Sequence, residues 1–476
     1  MKAPKILFIV VVLLICAQVT VADELIKLSL SQCIELGVTN NLSLKKANYD
    51  VLSAEESALR ARSMYEPSVS ASGGRTDARS PITTPTFGDW IRTDSLSLGI
   101  NKKIDYLGGL LSLGWENEKS DAHTSLTGID PSYESIMSAA YSQPLVNNAL
   151  GSNDRKAIRL ADLGESVARL SLNSQRNILI NTIENAYAEL DFAKKNLGVQ
   201  KAFLERAKKL LAVNKQKLKD GIIEEVDVIA TEAAVTLREA SILLAEDAAK
   251  NSKDALINLI GLSYDDKYEF ADMGSQEGFT HMEVVEQDMI TRALARRPDI
   301  AILEQSIRVA ELSMNIAKNE KMPVLDLDAR YSLSGYGDDW DADYKSLEPS
   351  WYLGLSLTFF PLSKYSGSTF RASEYAYSRT RAEFEEKRLA VVTEAKALTR
   401  KVNTQALYVQ ASMKARELQK RKLKLEEDKF NQGRSSIQWL LNFQDDLSNS
   451  EVQVHRALTD YHRAQSDLKL VTGDTR

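Results

Sequence analysis

Along Ser350–Phe360 the positions alternate: Trp351, Leu353, Leu355, Leu357 and Phe359 are apolar, and Tyr352, Gly354, Ser356 and Thr358 are polar or small. A period of two predicts a strand with one apolar face. Its 11 residues are the length that a tilted strand needs to cross a bilayer. The same alternation marks Leu96, Leu98 and Ile100 against Ser95, Ser97 and Gly99, and then Leu111, Leu113 and Trp115. Elsewhere the period is helical. Leu204, Ala207, Leu211 and Leu218 recur at the spacings of a lateral helix seam. Glycine and proline are both absent from 222–260, 368–432 and 434–472, which predicts long helices there. A helix over 153–220 would be about 100 Å long at about 1.5 Å per residue, so it needs neighbours along its length.

The pattern occurs twice. "NNLSLKKANYDVLSAEESALRARSMYEPSVSAS" (Asn40–Ser72) repeats at an offset of 256 as "RRPDIAILEQSIRVAELSMNIAKNEKMPVLDLDA". Leu44 meets Ile300, Ala54 meets Ala310, Ala61 meets Ala317, Arg62 meets Lys318 and Pro67 meets Pro323. "YSQPLVNNALGSNDRKA" is echoed by "TFFPLSKYSGSTFRA", and Gly221…Gly261 by Gly433…Gly473. The first repeat is expected at 23–262: a helix, strands within about 67–144, a long helix 153–220, a tip turn near Gly221 and a helix 222–260. A linker, 263–283, separates it from the second repeat at 284–473. That repeat has a helix, strands within about 323–361, a long helix 368–432, a tip turn near Gly433 and a helix 434–472.

The first strand interval is twice the second, and a hairpin near 94–121, turning at Gly108-Gly109, accounts for the surplus. The hairpin either enlarges the sheet or lies outside it. A soluble β-sandwich would show the same alternation. The helix lengths, the duplication and the leader favour a membrane barrel with a helical extension. Each chain has too few strands to close a barrel, and open edges are not tolerated in lipid, so several chains must pool strands.

Composition sharpens this picture. Lys2 and Lys5 precede an apolar run from Ile6 to Ala17, and Thr20-Val21-Ala22 offers small residues for cleavage. Residues 1–22 are therefore expected to be a secretory signal peptide. Ile15 precedes Cys16 where a lipobox wants a small residue, so lipidation is not expected. The whole chain carries a net charge of −6, and removal of Lys2 and Lys5 makes it more acidic, which disfavours a nucleic-acid partner. Cys33 is left without a partner for an intrachain disulfide.

At this point the residues resemble a known family, the TolC-like outer-membrane efflux proteins, over essentially the whole mature length. The resemblance rests on the duplicated helix starts, on "SQPL…R" and "FFPL…R" before the long helices, and on "KLKDGIIEEVDVIATEA" and "KFNQGRSSIQWLLNFQD" at the tips. It implies an α+β membrane protein: a homotrimer whose outer-membrane β-barrel continues as a long periplasmic α-helical barrel. It implies an exit duct of a tripartite efflux or type I secretion system in a Gram-negative-type bacterium. A periplasmic adaptor and an inner-membrane efflux pump or ABC exporter would be its partners. The tips at Gly221 and Gly433 would meet the adaptor. Family members often carry aspartates beyond the second tip glycine, whereas this chain has Trp439 and then Asn442 there. Asp227 follows the first tip. Trp439, Asn442 and Asp227 are accordingly the candidates for a periplasmic constriction. Trp351, Leu353, Leu355, Leu357 and Phe359 are the expected lipid-facing set.

Nothing in the sequence asks for enzymatic chemistry or a cofactor. "DDWDADY" (Asp338–Tyr344) lacks the glycine and the final glutamate of a calcium loop, and is expected to be a solvated connection between strands. His455 and His462 share a helix face without a third metal ligand. The rival reading is a structural periplasmic coiled-coil protein without channel activity.

Overall fold

The structure, a computed structural model, describes residues 26–79, 90–122, 129–263, 268–273, 279, 283–340, 342–359 and 364–474. The expected signal peptide, Pro361 and parts of the 263–283 linker lie outside the described residues. In chain order the elements are β1 (Ile26–Leu28), α1 (Leu30–Asn40), α2 (Leu42–Arg62), β2 (Ser68–Arg79), β3 (Trp90–Lys103), β4 (Leu110–Ala122) and β5 (Ser132–Pro144). Then follow α3 (Ser152–Lys219), α4 (Glu225–Ile260), β6 (Tyr268–Phe270), α5 (Glu286–Arg296) and α6 (Pro298–Glu320). The last are β7 (Val324–Gly337), α7 (Ala342–Lys345), β8 (Glu348–Thr358), α8 (Lys364–Asn431) and α9 (Ile437–Thr472). The duplication is visible in the lengths: α3 and α8 each have 68 residues, and α4 and α9 each have 36.

The chain forms two units. One comprises 1–41, 179–282 and 405–466. In it, Ser29 and Gln32 cap α1 reciprocally, each side chain serving the other's backbone N–H. Ile183, Tyr187 and Leu190 of α3 pack on Leu256 and Ile260 of α4, with Cys33 and Phe270. A second core gathers Phe203, Leu423, Phe430, Leu440 and Leu447. Full burial of each such side chain contributes about 1.5–3 kcal/mol. Between α3 and α4, Leu204, Ala207, Leu211 and Val235 form an apolar seam. Asn214 continues the seam's spacing as a buried polar residue and donates to Thr231 Oγ1 at 3.0 Å. A polar residue at such a position fixes the register of the two helices.

The other unit comprises 42–178, 283–404 and 467–476. Pro298 opens α6 at its first turn, where a missing N–H costs nothing. The preceding Arg297 grips Asp299 with two hydrogen bonds, of 2.9 and 2.8 Å, and Glu394 at 2.6 Å. Burial pushes the Asp299 carboxyl up, but the hydrogen bonds and charges of Arg297 and Lys387 outweigh it and hold it below the usual range.

The unit's main feature is one antiparallel sheet in the order β2-β3-β4-β5-β7-β8. The surplus hairpin β3–β4 is thus inserted between β2 and β5. Its turn is closed by Gly108 N donating to Ile104 O and Ile104 N donating to Gly109 O. The two repeats join where β5 pairs with β7, Ala139 lying opposite Tyr331. β2 and β8 are the edges, each paired on one side.

Candidate functional site

Directly opposed residues in an antiparallel sheet share a face. The register therefore sorts the whole sheet. Trp351, Leu353, Leu355 and Leu357 of β8 lie opposite Tyr331, Ala329, Leu327 and Leu325 of β7. Tyr331 leads across to Ala139, Leu113, Ile100 and Val69. Leu333 leads to Met137, Trp115, Leu98 and Ala71. One face thus carries a continuous apolar belt, with Phe359 exposed just beyond the end of β8. The other face carries Ser70, Ser97, Gly99, Ser112, Ser138, Ser332 and Ser350, with Glu116, Glu118, Glu134, Asp326, Asp328 and Arg330. The belt side of β8 and the stripes on β3 and β4 belong to this single surface. Sequence alternation finds each strand's stripe but not its alignment with the others.

Four of the charges on the belt face form two ion pairs. At the end of the strands distant from the helix connections, Arg75 lies 3.5 Å from Asp94 and Arg92 lies 3.1 Å from Asp77. There the connection "DDWDADY" departs from expectation. Asp338, Asp339 and Trp340 are exposed as expected, but two of its aromatic side chains also touch the belt face. Trp115 Nε1 donates to the Tyr344 hydroxyl at 3.1 Å, and the Trp340 ring tilts against Tyr133 with centroids 5.8 Å apart. Gly335 and Gly337 are buried on this face, and having no side chain they leave room for α7. Asn117 and Ser135, also on this face, are 3% and 0% exposed and bond to each other.

The helical tips are built alike. Gly221 (φ +73°) follows α3, and Gly433 (φ +70°) follows α8. In each, the residue after the glycine donates back across the turn: Ile222 N to Lys217 O at 2.8 Å, and Arg434 N to Lys429 O at 2.9 Å. This closure needs a left-handed residue, which glycine supplies without steric cost. Nothing lies within 4 Å of where a Cβ would sit on either glycine. The first tip exposes Ile222, Val226 and Ile229. The second is braced by Glu426, whose carboxyl accepts from Ser435 Oγ. That hydrogen bond, with the nearby Lys429 and Lys422 ammonium groups, holds the carboxyl below its usual range.

The constriction candidates are separated by role. Trp439 is 57% exposed and tilts against Phe443, with ring centroids 5.9 Å apart. Leu440 and Leu441 face the interior and are not available to a pore. Asn442 is exposed and its side-chain oxygen accepts from Gln438 at 3.1 Å. Asp227 sits half-buried in the first turn of α4. Two carboxylates not singled out in the sequence stand further along α9. Asp445 meets Arg238 and Asp446 meets Lys422. Their signal was the unmatched "DD" in an otherwise apolar and amide stretch, but their partners are distant in sequence.

The comparisons agree with this geometry. Residues 289–474 match the family model described as outer membrane efflux protein. Nodulation protein T of Rhizobium leguminosarum bv. trifolii is 22% identical over 320 residues, which is 66% of this chain and 67% of the relative. The solved outer-membrane channel OprN superposes with a TM-score of 0.72 at 16% identity, over 93% of this chain and 89% of that chain. The CmeC outer-membrane channel of Campylobacter jejuni gives a TM-score of 0.72 at 16% identity, over 93% of this chain and 85% of that one.

Proposed function

We propose that this chain is an outer membrane efflux protein, located in the outer membrane and extending into the periplasm, and that it is the exit duct of a tripartite efflux or type I secretion system. The carrying observation is the six-stranded sheet with one apolar belt, one polar face and two open edges. Water belongs on the polar side and lipid on the other. Open edges in lipid leave backbone groups unsatisfied, so β8 of one copy must pair with β2 of the next. Six alternating strands per chain make that junction antiparallel. Three copies of six give an even 18 strands, and barrels of about 16–18 strands leave an aqueous channel.

The helices support association of copies. Leu237 and Leu244 on α4, seven residues apart, are 70% and 75% exposed, and Leu418 and Leu425 on α8 repeat the spacing. Heptad-spaced leucines facing outward call for helices of neighbouring copies. A trimer would line these helices up as a periplasmic tunnel. The exposed apolar side chains at the Gly221 tip suit a periplasmic adaptor, which would join the duct to an inner-membrane pump or ABC exporter.

The reading is tested by reconstituting the purified protein in planar bilayers and by crosslinking it in cells. A trimer that conducts, and crosslinks to an adaptor from cysteines placed beside Gly221 or Gly433, supports it. A water-soluble protein extracted without detergent supports the structural coiled-coil alternative.

A further inference from the structure

We propose that the belt face where the inserted hairpin meets β5 and β7 is a lipid-binding site: it seats one acyl chain of an outer-leaflet lipid over Ala139 and its phosphate-bearing headgroup beside α7. The proposal rests on the barrel reading above, because it takes the belt to face lipid.

Three features converge there. First, the belt is not smooth. A hollow of about 540 Å³ opens on it, lined by Leu98, Ile100, Leu113, Trp115, Met137 and Tyr331, with Ala139 at its floor. Ala139 stands between Leu113 and Tyr331 in the register, so a methyl group sits where its neighbours are large. An apolar hollow of this size suits a hydrocarbon chain, which gains about 0.8 kcal/mol per buried CH₂.

Second, the hollow has a ceiling. Trp115 lines it and also donates to Tyr344. Trp340, 50% exposed, lies against Tyr133 above it. Aromatic rings with a polar edge favour the headgroup level of a membrane. Asn117 and Ser135 are buried on this face and bond to each other, so they do not present free amide and hydroxyl groups to hydrocarbon. The belt therefore ends where α7 begins.

Third, a cation stands at that level. Lys119 shares the belt face, two residues beyond Asn117, with its Nζ 5.7 Å from the centroid of the Tyr133 ring. An ammonium at the rim of an apolar hollow fits a lipid phosphate. Four separate strands and one connection thus supply a chain seat, a collar and a phosphate partner. Two of those strands, β4 and β5, meet only because the extra hairpin lies inside the sheet.

The test uses bound lipid that survives extraction. The trimer is reconstituted in vesicles of phosphatidylglycerol with dibrominated acyl chains and then re-extracted into lipid-free detergent. Two versions are compared, one keeping only Trp115 and one keeping only Trp351, the other tryptophans being replaced by Phe. In vesicles both lose emission to bromine. After extraction Trp351 emission returns, because annular lipid washes away from β8. Trp115 emission stays quenched, and Ala139→Phe, which fills the hollow, restores it. Lys119→Gln restores it in part. Recovery of Trp115 emission to the same extent as Trp351 overturns the site and leaves the barrel standing. If Trp351 is not quenched even in vesicles, the barrel reading falls and the site with it.

Discussion

Arg238 on α4 donates from Nη2 to Oδ1 of Asp445 on α9 over 2.6 Å, and the two side chains differ sharply in environment: the arginine is 9% exposed and the aspartate 62%. The arginine also lies over the Phe203 ring, 5.5 Å from its centroid. The pair joins one hairpin to the other within the helical unit. Its asymmetry decides what mutation does. Removing Asp445 leaves a nearly buried guanidinium without its anion. Replacing Arg238 by methionine removes the interior charge and keeps an apolar stem. We expect Asp445→Ala to lower the thermal midpoint more than Arg238→Met. The gap should be about 1–2 kcal/mol, below the 3–5 kcal/mol of a fully buried pair because Asp445 is open to water. A larger loss from Arg238→Met would mean that the pair's own attraction dominates.

The belt predicts opposite outcomes for adjacent residues. Leu355 lies opposite Leu327 on the apolar face, and Ser356 lies opposite Asp326 on the polar face. Leu355→Arg should impair assembly, at about 2–4 kcal/mol for a midplane arginine facing lipid. Ser356→Arg should assemble normally, with Asp326 within reach as a counter-charge. Heat-resistant trimer on semi-native gels is the readout, and equal assembly would undo the facing assignment.

Much of this was legible in the sequence, for local reasons. Gly221, Gly261, Gly433 and Gly473 all have positive φ, and each follows a long stretch of strong helix formers. Pro298 stands where α6 begins. Such punctuation needs no tertiary information. What the sequence withheld depends on distant partners. The aromatics of "DDWDADY" look solvated until Gly335, Gly337, Trp115 and Tyr133 are brought beneath them. Asn214 fell on the 204–207–211–218 spacing, yet its polarity hid a seam position that Thr231 completes. The place of the inserted hairpin is a matter of strand order, which alternation does not encode.

A half-buried imidazole makes the helical unit sensitive to acid. His455 on α9 has its pKa pushed down to about 4, first by burial and then by the Lys195 charge, against an upward pull from Asp191, with Arg416 adding a smaller downward push. The unfolded imidazole takes a proton near 6.5, whereas the folded one resists. Stability is therefore full above pH 6.5 and is lost as pH falls toward 4. The thermal midpoint should drop over that window, and His455→Gln should drop less. Parallel pH curves for the two proteins would remove His455 as a cause.

Cys33 lies in the core beside Ile183 and Leu256, fully buried. Burial pushes its thiol up to about 11, so little thiolate exists at neutral pH and reagents have no access. The native protein should leave Cys33 unlabelled by maleimide, while denaturant should make it react. Mass spectrometry of the Cys33 peptide gives the answer, and rapid labelling of native protein would contradict the packing.

The last prediction concerns closure of the periplasmic end. In the proposed duct an open tunnel would leak, so tips converging from three copies would have to narrow somewhere. Leu440 and Leu441 are committed to the hairpin core, which leaves Trp439 as the large apolar side chain exposed in the first turn of α9. Its tilt against Phe443 holds the ring at the surface rather than in the seam. Three such rings facing a narrow axis would exclude water without any charge, because an apolar constriction gates by dewetting. The acidic alternatives are weaker on geometry. Asp445 and Asp446 are engaged by Arg238 and Lys422, and Asp227 is half-buried on the other hairpin. We expect Trp439→Ala to raise resting single-channel conductance clearly, and Asp227→Asn to alter cation preference only modestly. Unchanged conductance in the alanine variant, with loss of cation preference in the asparagine variant, would transfer the gate to the carboxylates.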